Sequence, residues 1–499
     1  VSKHEFRALL AVAVAAVAIR LAVSASFKGH SYVAAEPVKP ETEATYLKGG
    51  EIGLGDSEQY LLLGDGIRHR QSYSWNHEPN TFRTPGYPLL LALLDDNVTA
   101  IVLVQALLAG FTVFLAGLIG HRLFSSRVGL LGAALLAVDI PSIFSSGMVM
   151  SEVLFTFSVV LAAALVWGRP HDRGRKTGDR RMSGSGTAKD AKPALERTKI
   201  LRFAQNDRVN EGNAKREGGR GNGEVRTGIP SRTLSAAAAG LVLGFAVLVR
   251  PVALLAFVPF GVALVARRNW RGLVMMLAAF SLLPGIWVAR NYHHYHRFSL
   301  TSNGGYNLLY ANAASVLGGE QHVSQDSARV ELARDFTARL VTDNPLELAD
   351  AMTRKATSII LHDPFRYALV CLRGVPKVIA GIKSDDLVLR MLHAKVPATQ
   401  GSVLLNRSYG STGVRFAIWL LAGFELLTAI GGFLLALISL GFRHWRAEKL
   451  LLVVIGLYFV AVALPFTDGR FRVPAMPFLY LAAATVLAGR ARRRGGEGA

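Results

Sequence analysis

The chain has 499 residues, a formal net charge of +21 and 51% hydrophobic residues, with a mean hydropathy of +0.32. Its apolar residues fall in blocks of about 17–25, the length that crosses a hydrocarbon core ~30 Å thick, which argues against a water-soluble globule. The basic excess suits cytoplasmic loops and anionic headgroups, no nucleic-acid-binding motif accompanies it, and the single cysteine, Cys371, excludes an intrachain disulfide and a cysteine-based zinc site.

Ten membrane spans are predicted, at 8–27, 98–123, 127–146, 148–167, 234–249, 251–267, 272–290, 414–441, 449–466 and 473–489. Leu9–Phe27 is long for the apolar core of a signal peptide and no convincing cleavage site follows, so it reads as a retained membrane helix. Pro85–Leu94 is apolar but short, which predicts an interfacial or partly inserted helix. Residues 234–267 admit one long span or a hairpin turning at Arg250–Pro251. A single helix of about 34 residues would measure ~50 Å, too long for one crossing without strong tilt, and Pro251 suits a helix start. The segments Ser2–Arg7, His121–Arg127, Arg169–Arg232, Arg267–Arg271, Arg443–Lys449 and Arg490–Arg494 are all basic. Ten alternating spans, with the hairpin, place every one of them on the cytoplasmic side.

This organisation divides the chain into an N-terminal membrane module (1–168), an insertion (169–232), central helices (233–290), an external segment (291–413) and C-terminal helices (414–499). The insertion is rich in Gly, Arg, Lys, Asn and Asp and poor in aromatics, which predicts a disordered basic cytoplasmic segment. Two segments face outward, 28–97 and 291–413. The second alternates apolar and polar residues at helical spacing across Asn344–Leu361 and Pro364–Ile382, predicting a small helical subdomain on the membrane surface.

Ionisable groups at membrane depth are costly and tend to have roles. Asp56 opens a helical pattern carried by Tyr60 and Leu63; it is either a helix cap or a reactive acid. Arg83, in the run Arg83-Thr84-Pro85-Gly86-Tyr87-Pro88, offers a fork that matches phosphate, or else an interfacial anchor. Glu152 opens the fourth span and needs a cation, a metal or a hydroxyl, unless it only meets the helix dipole. Arg250 tips the hairpin. Arg290, Asn303 and Tyr306 follow the seventh span, beside glycines that let backbone approach a ligand. Asp468, Arg470 and Arg472 crowd a short outer turn, against the positive-inside bias, as a phosphate contact or a self-paired turn. His293, His294 and His296 read more readily as interface residues than as metal ligands.

Taken together, the Asp56–Gly64 helix, the Arg83–Pro88 run, Met150-Ser151-Glu152, Arg250-Pro251, Arg290-Asn291-Tyr292 with Ser302-Asn303-Gly304, and Asp468–Pro474 resemble bacterial membrane glycosyltransferases of glycosyltransferase family 39 and its relatives. These include protein O-mannosyltransferases, lipid A aminoarabinose transferases and transferases of rhizobial lipopolysaccharide cores. The resemblance covers nearly the whole chain apart from the insertion. It implies an all-α GT-C fold in the bacterial inner membrane, with catalytic loops facing the periplasm. It also implies a polyprenyl-phosphate-linked sugar donor, such as an undecaprenyl-phosphate sugar, and a cell-envelope acceptor that is a lipid, a glycan or a protein. By that resemblance Asp56 is the leading catalytic acid, Glu152 the second acid, and Arg83 the contact to the lipid phosphate. The Asp56–Glu152 pair is the candidate holder of a divalent metal ion, Glu152 standing where relatives often carry Asp. Tyr87, Arg250, Arg290, Asn303, Tyr306, Asp468, Arg470 and Arg472 are then the expected substrate-binding residues. Two other readings share the membrane placement: a transporter or flippase, and a surface-polysaccharide polymerase or ligase.

Overall fold

A computed structural model describes residues 2–27, 56–69, 72–74, 79–167, 231–339, 342–392, 412–442, 446–464 and 468–494. The chain divides into two units, 1–170 with 231–499, and 171–230. The second unit lies outside the described residues, and so does the expected disorder of the insertion, except that Ser231 and Arg232 already belong to a helix.

The regular structure of the described residues is helical, with one isolated β-bridge between Ser74 and Pro79. In chain order the helices are α1 (Lys3–Ala25), α2 (Asp56–His69), α3 (Gly86–Leu93), α4 (Val98–Leu123), α5 (Ser126–Ala137), α6 (Ile140–Ser146), α7 (Glu152–Trp167) and α8 (Ser231–Val249). After a 3₁₀ turn at Pro251–Leu255 come α9 (Phe257–Ala266), α10 (Trp270–Tyr295) and α11 (Asn303–Asn307). A π-helical turn at Leu308–Ala313 precedes α12 (Ala314–Gln321), α13 (Gln325–Arg339), α14 (Pro345–His362), α15 (Pro364–Ile379) and α16 (Ser384–Met391). The C-terminal part holds α17 (Thr412–Ser439), α18 (Arg446–Ala461), a 3₁₀ turn at Gly469–Arg472 and α19 (Met476–Arg494).

Among the described residues five helices are long and apolar enough to cross a membrane: α1, α4, α8 from Arg232, α10 and α17. The pair α5–α6 would make a sixth, bent by 58°. Shorter apolar helices occupy Glu152–Trp167, Pro251–Ala266 and Met476–Gly489. The long helices bury one set of apolar side chains and leave Val14, Phe111, Val274, Ile286 and Leu427 exposed. Helices that are apolar on both faces suit a lipid surround.

The expected continuous span over 127–146 is instead broken at Asp139. Its carboxylate accepts the Ser142 amide at 3.1 Å and caps a new helix with Pro141 in its first turn. Arg20, fully buried, pins the bend by donating to the carbonyls of Ala16 and Ala137 at 3.1 Å each and to Ser142 Oγ at 2.9 Å.

Small residues set how the helices pass one another. A β-carbon at Gly240 would strike the Met276 carbonyl and one at Gly244 the Phe280 carbonyl, so α8 and α10 touch backbone to backbone. Both contacts advance by four residues in the same sense, so the two helices run parallel. The chain between them must therefore return, which is the hairpin expected at Arg250–Pro251.

Two ends of the bundle follow from the contacts. At one end Glu5 of α1 accepts a bond from Ser126 of α5, Arg267 donates to the Val166 carbonyl at 2.7 Å, and Lys449 donates to the Ser439 carbonyl at 2.6 Å. At the other, Phe27 and Ser24 pack against Gly147. Here too lie the start of α7, the end of α8 and the turn before α19. Leu309, Tyr310, Ala313, Ala328, Met352 and Ala356 form a small core of their own.

Candidate active site

The second end gathers charge. Asp56 is the first residue of α2, where the helix dipole favours a carboxylate. Its Oδ1 accepts from Arg83 Nη2, and its Oδ2 accepts from Arg470 Nη2 at 3.2 Å. One carboxylate therefore bridges two guanidiniums contributed by distant parts of the chain.

Each guanidinium has further support. Arg83 Nε donates to Gln59 Oε1 at 2.8 Å, and its plane lies 5.0 Å from the Tyr60 ring and 5.2 Å from that of Phe82. Its backbone amide donates to Asn80 Oδ1 at 3.0 Å. Arg470 stands over the Phe471 ring at 5.0 Å, and its backbone amide donates to Asp468 Oδ1 at 2.9 Å. Asp468 Oδ2 meets Lys383 Nζ at 3.0 Å, and the same ammonium reaches Asp386 at 2.9 Å. The result is an alternating chain of charge: Asp386, Lys383, Asp468, Arg470, Asp56, Arg83.

Beside this chain lies the second acid. Glu152 Oε1 is 2.6 Å from Arg250 Nη1, with only 3% of the Glu152 side chain exposed. Arg250 lies 5.7 Å from the Phe471 ring, which Arg470 also faces. The hydroxyls of Tyr60 and Ser151 are 3.3 Å apart and tie α2 to the start of α7. Phe471, Tyr60 and Ser151 thus connect the two carboxylate sites.

The electrostatics follow from this packing. Burial opposes charge on Asp56, but Arg83 and Arg470 outweigh it and hold its carboxyl well below the usual carboxylate range. For Arg83, burial pulls down and Asp56 pushes up; the carboxylate wins and the guanidinium is raised. Burial also opposes charge on Asp468, and Lys383 with Arg470 again outweighs it, lowering the acid.

Other expected site residues are placed elsewhere. Tyr87 is fully buried, its hydroxyl donating to Gln105 Oε1 at 2.8 Å, and its ring packs edge-on against Tyr60 at 4.9 Å. Arg472 turns away from Arg470 into the bundle, where Glu425 Oε1 accepts from it at 2.7 Å and the Gly381 carbonyl at 2.5 Å. A guanidinium at 1% exposure needs such partners. Arg290 holds the loop before α3 by donating to the Asn80 carbonyl at 2.8 Å, stacked on Trp287 at 4.7 Å. Tyr306 accepts from Arg329 at 2.5 Å and faces Phe82. Asn303 opens α11, its amide on Thr301 Oγ1 at 3.2 Å. Tyr87 and Arg472, for which the sequence predicts ligand contacts, are buried and bonded to partners within the bundle.

The acids as arranged do not fit a metal ion. Asp56 is bridged by two guanidiniums and Glu152 is paired with a third. Among the described residues no group of three or more His, Cys, Asp or Glu side chains is placed to hold a metal, the three histidines of 293–296 included.

Sequence reasoning missed Lys383, Asp386, Glu425 and Gln105. Glu425 carried a usable signal, being a lone acid inside an apolar span. It accepts from the Lys383 amide at 3.0 Å, the Ser384 amide at 3.0 Å and the Ser384 hydroxyl at 2.5 Å, as well as from Arg472. Lys383 sits in a segment whose local pattern announces nothing.

Comparison with solved structures finds the Archaeoglobus fulgidus oligosaccharyltransferase in its apo form, at 13% identity and a TM-score of 0.45, covering 98% of this chain and 52% of that one. It also finds the oligosaccharyltransferase AglB from the same organism in complex with an inhibitory peptide and a dolichol-phosphate, at 16% identity and a TM-score of 0.44, with 98% and 52% covered. The chain spans about half the length of these enzymes. No family model matches the sequence, and no curated protein does. Likeness this distant assigns neither activity nor substrate.

Proposed function

We propose that the chain is a membrane glycosyltransferase that moves a sugar from a polyprenyl-phosphate donor to a cell-envelope acceptor. The observation that carries this reading is the Asp56 carboxylate bridged by Arg83 and Arg470 at one end of an apolar helical bundle. An acid beside two arginines supplies what such a transfer needs: a proton acceptor, and fixed positive charge where a phosphate leaves. The apolar faces beside that end suit a long isoprenoid tail.

In this reading the chain crosses a bacterial plasma membrane ten times. The basic ends, with Arg267 and Lys449, face the cytoplasm and the charged cluster faces outward. The helices of 291–413 form the external subdomain beside the cluster. The acceptor oxygen or nitrogen attacks the anomeric carbon as the bond to the phosphate oxygen breaks, and that oxygen keeps the electron pair. Asp56 takes the acceptor proton, and Arg83 with Arg470 neutralises the departing phosphate. Glu152 and Arg250 brace the far side of Phe471. One in-line displacement inverts the anomeric centre.

The test is purification of the full chain and incubation with labelled polyprenyl-phosphate sugars and envelope extract. Label should pass to an envelope component in the wild type and not in Asp56→Asn, with both variants inserted equally. Label transfer by Asp56→Asn at the wild-type rate would remove Asp56 from the reaction.

A further inference from the structure

The Asp56 carboxylate takes a guanidinium on each of its oxygens, the way a free oxyanion would: Arg83 on one side and Arg470 at 3.2 Å on the other. A phosphate presents the same pair of acceptor oxygens to such forks. We propose that Arg83 and Arg470 form the phosphate clamp of the active site, and that the Asp56 carboxylate fills this clamp until a lipid phosphate displaces it. The proposal rests on the lipid-phosphate reading given above and adds an order of events to it: the donor binds, and only then is the base released.

Three features support displacement. First, Arg83 has supports other than Asp56 for its orientation, because Gln59 holds its Nε at 2.8 Å and the Tyr60 and Phe82 rings lie 5.0 and 5.2 Å from its guanidinium carbon. The fork therefore stays aimed when the carboxylate leaves. Second, Asp56 is a short side chain at the first position of α2, 31% exposed, so it can swing out without repacking the bundle. Third, while it is clamped, the two guanidiniums hold its carboxyl well below the usual range, which makes it a poor proton acceptor. A phosphate that takes over the arginine charge restores its basicity at the moment an acceptor needs it.

The chemistry balances within the site. The acceptor loses a proton to Asp56, the anomeric carbon exchanges its bond to the phosphate oxygen for one to the acceptor, and the phosphate leaves with the electron pair. The donor diester carries about one negative charge, whereas the departing monoester carries about −1.5 to −2 at pH 7. The product therefore holds the clamp more tightly than the donor does. Asp56, once it has passed the acceptor's proton to water and is a carboxylate again, is the internal competitor that helps expel it.

The experiment measures binding of undecaprenyl monophosphate to the full chain in nanodiscs of neutral lipid. It compares wild type, Asp56→Asn, Asp56→Glu and Asp56→Asn with Arg83→Ala. Removing the internal carboxylate should tighten binding by roughly tenfold or more, given the strength of charge-assisted hydrogen bonds. Asp56→Glu, which keeps the competing charge, should stay near wild type, and adding Arg83→Ala should erase the gain. A parallel titration with inorganic phosphate separates recognition of phosphate alone, in which both ligands gain, from recognition of the lipid, in which only the lipid gains. Asp56→Ser makes the same comparison where the amide variant does not fold. Wild-type binding with no gain in Asp56→Asn would overturn the displaced carboxylate and leave the lipid-phosphate reading standing. Absence of lipid binding in every variant would overturn both.

Discussion

Arg250, at the end of α8, and Glu152, at the start of α7, meet as a buried ion pair with Nη1 and Oε1 2.6 Å apart. Neither charge has much water to fall back on, since their side chains are 20% and 3% exposed. Removing one partner leaves the other uncompensated, which typically costs about 3–5 kcal/mol, whereas replacing both by apolar groups costs far less. Arg250→Leu and Glu152→Leu should each lower the midpoint of thermal unfolding in detergent. The double replacement should recover most of the loss. Equal loss in the single and double variants would mean that the pair does not brace the helices.

Arg83 should not tolerate lysine. Its fork serves Gln59 and Asp56 at once, and its guanidinium carbon lies near two aromatic rings. An ammonium is a point charge and cannot fill both directions. In the proposed transfer, loss of one such donor should lower kcat/KM for the lipid donor by roughly 10²–10³-fold. If Arg83 is only an interfacial anchor, Arg83→Lys lowers the amount of inserted protein and leaves kcat/KM alone.

Some of this architecture is plain in the sequence and some is not, for physical reasons. Val98–Leu123 appears where the 98–123 span is expected, because length and apolarity alone decide such a helix. The reversal near Pro251 is also legible, because one helix of that length would not fit a bilayer. The break at Asp139 is written in the sequence as a cap followed by Pro141, yet inside an apolar run that signal is easily overridden. Asp56, Arg83 and Arg470 are each legible as charges at span ends. That Asp56 is shared between two arginines is not, because pairing across such distances depends on helix packing that no local pattern encodes. Arg472 shows the limit: it stands two residues from Arg470 and points at Glu425, because the 3₁₀ turn at Gly469–Arg472 separates their directions.

The turn that carries Arg470 is clasped to the turn before α16. A β-carbon on Gly469 would strike the Gly381 carbonyl, and one on Gly381 would come within 2.6 Å of the Gly469 amide nitrogen. Arg472 and Glu425 close the same clasp. Gly469→Ala should therefore cost about 1–3 kcal/mol of stability by overpacking. It should also move Arg470 relative to Asp56. Donor KM should rise more than in Gly423→Ala, a helix position where a β-carbon meets nothing within 4 Å. Equal effects at the two glycines would show that the clasp does not position the site.

A carboxyl away from the site should make stability depend on pH. Asp96 adopts a left-handed backbone in the turn before α4, at φ 49°, and its carboxyl is pressed against Gly64. Burial pushes it up to about 6, and the charges of Asp65 and Asp95 add to the rise. An acid whose folded value is raised binds more protons in the native state than in the unfolded one. Its stabilising contribution is thus complete below the ordinary value of 3.8 and lost as pH climbs through about 6. Asp56 and Asp468 run the other way, being lowered, so their contribution disappears only under strongly acid conditions. The clean readout is the difference between wild type and Asp96→Asn. The variant should unfold at a higher temperature than wild type at pH 7.5, and that advantage should shrink as the pH is brought down toward 4. A constant offset between the two melting curves would mean that Asp96 does not titrate in this window.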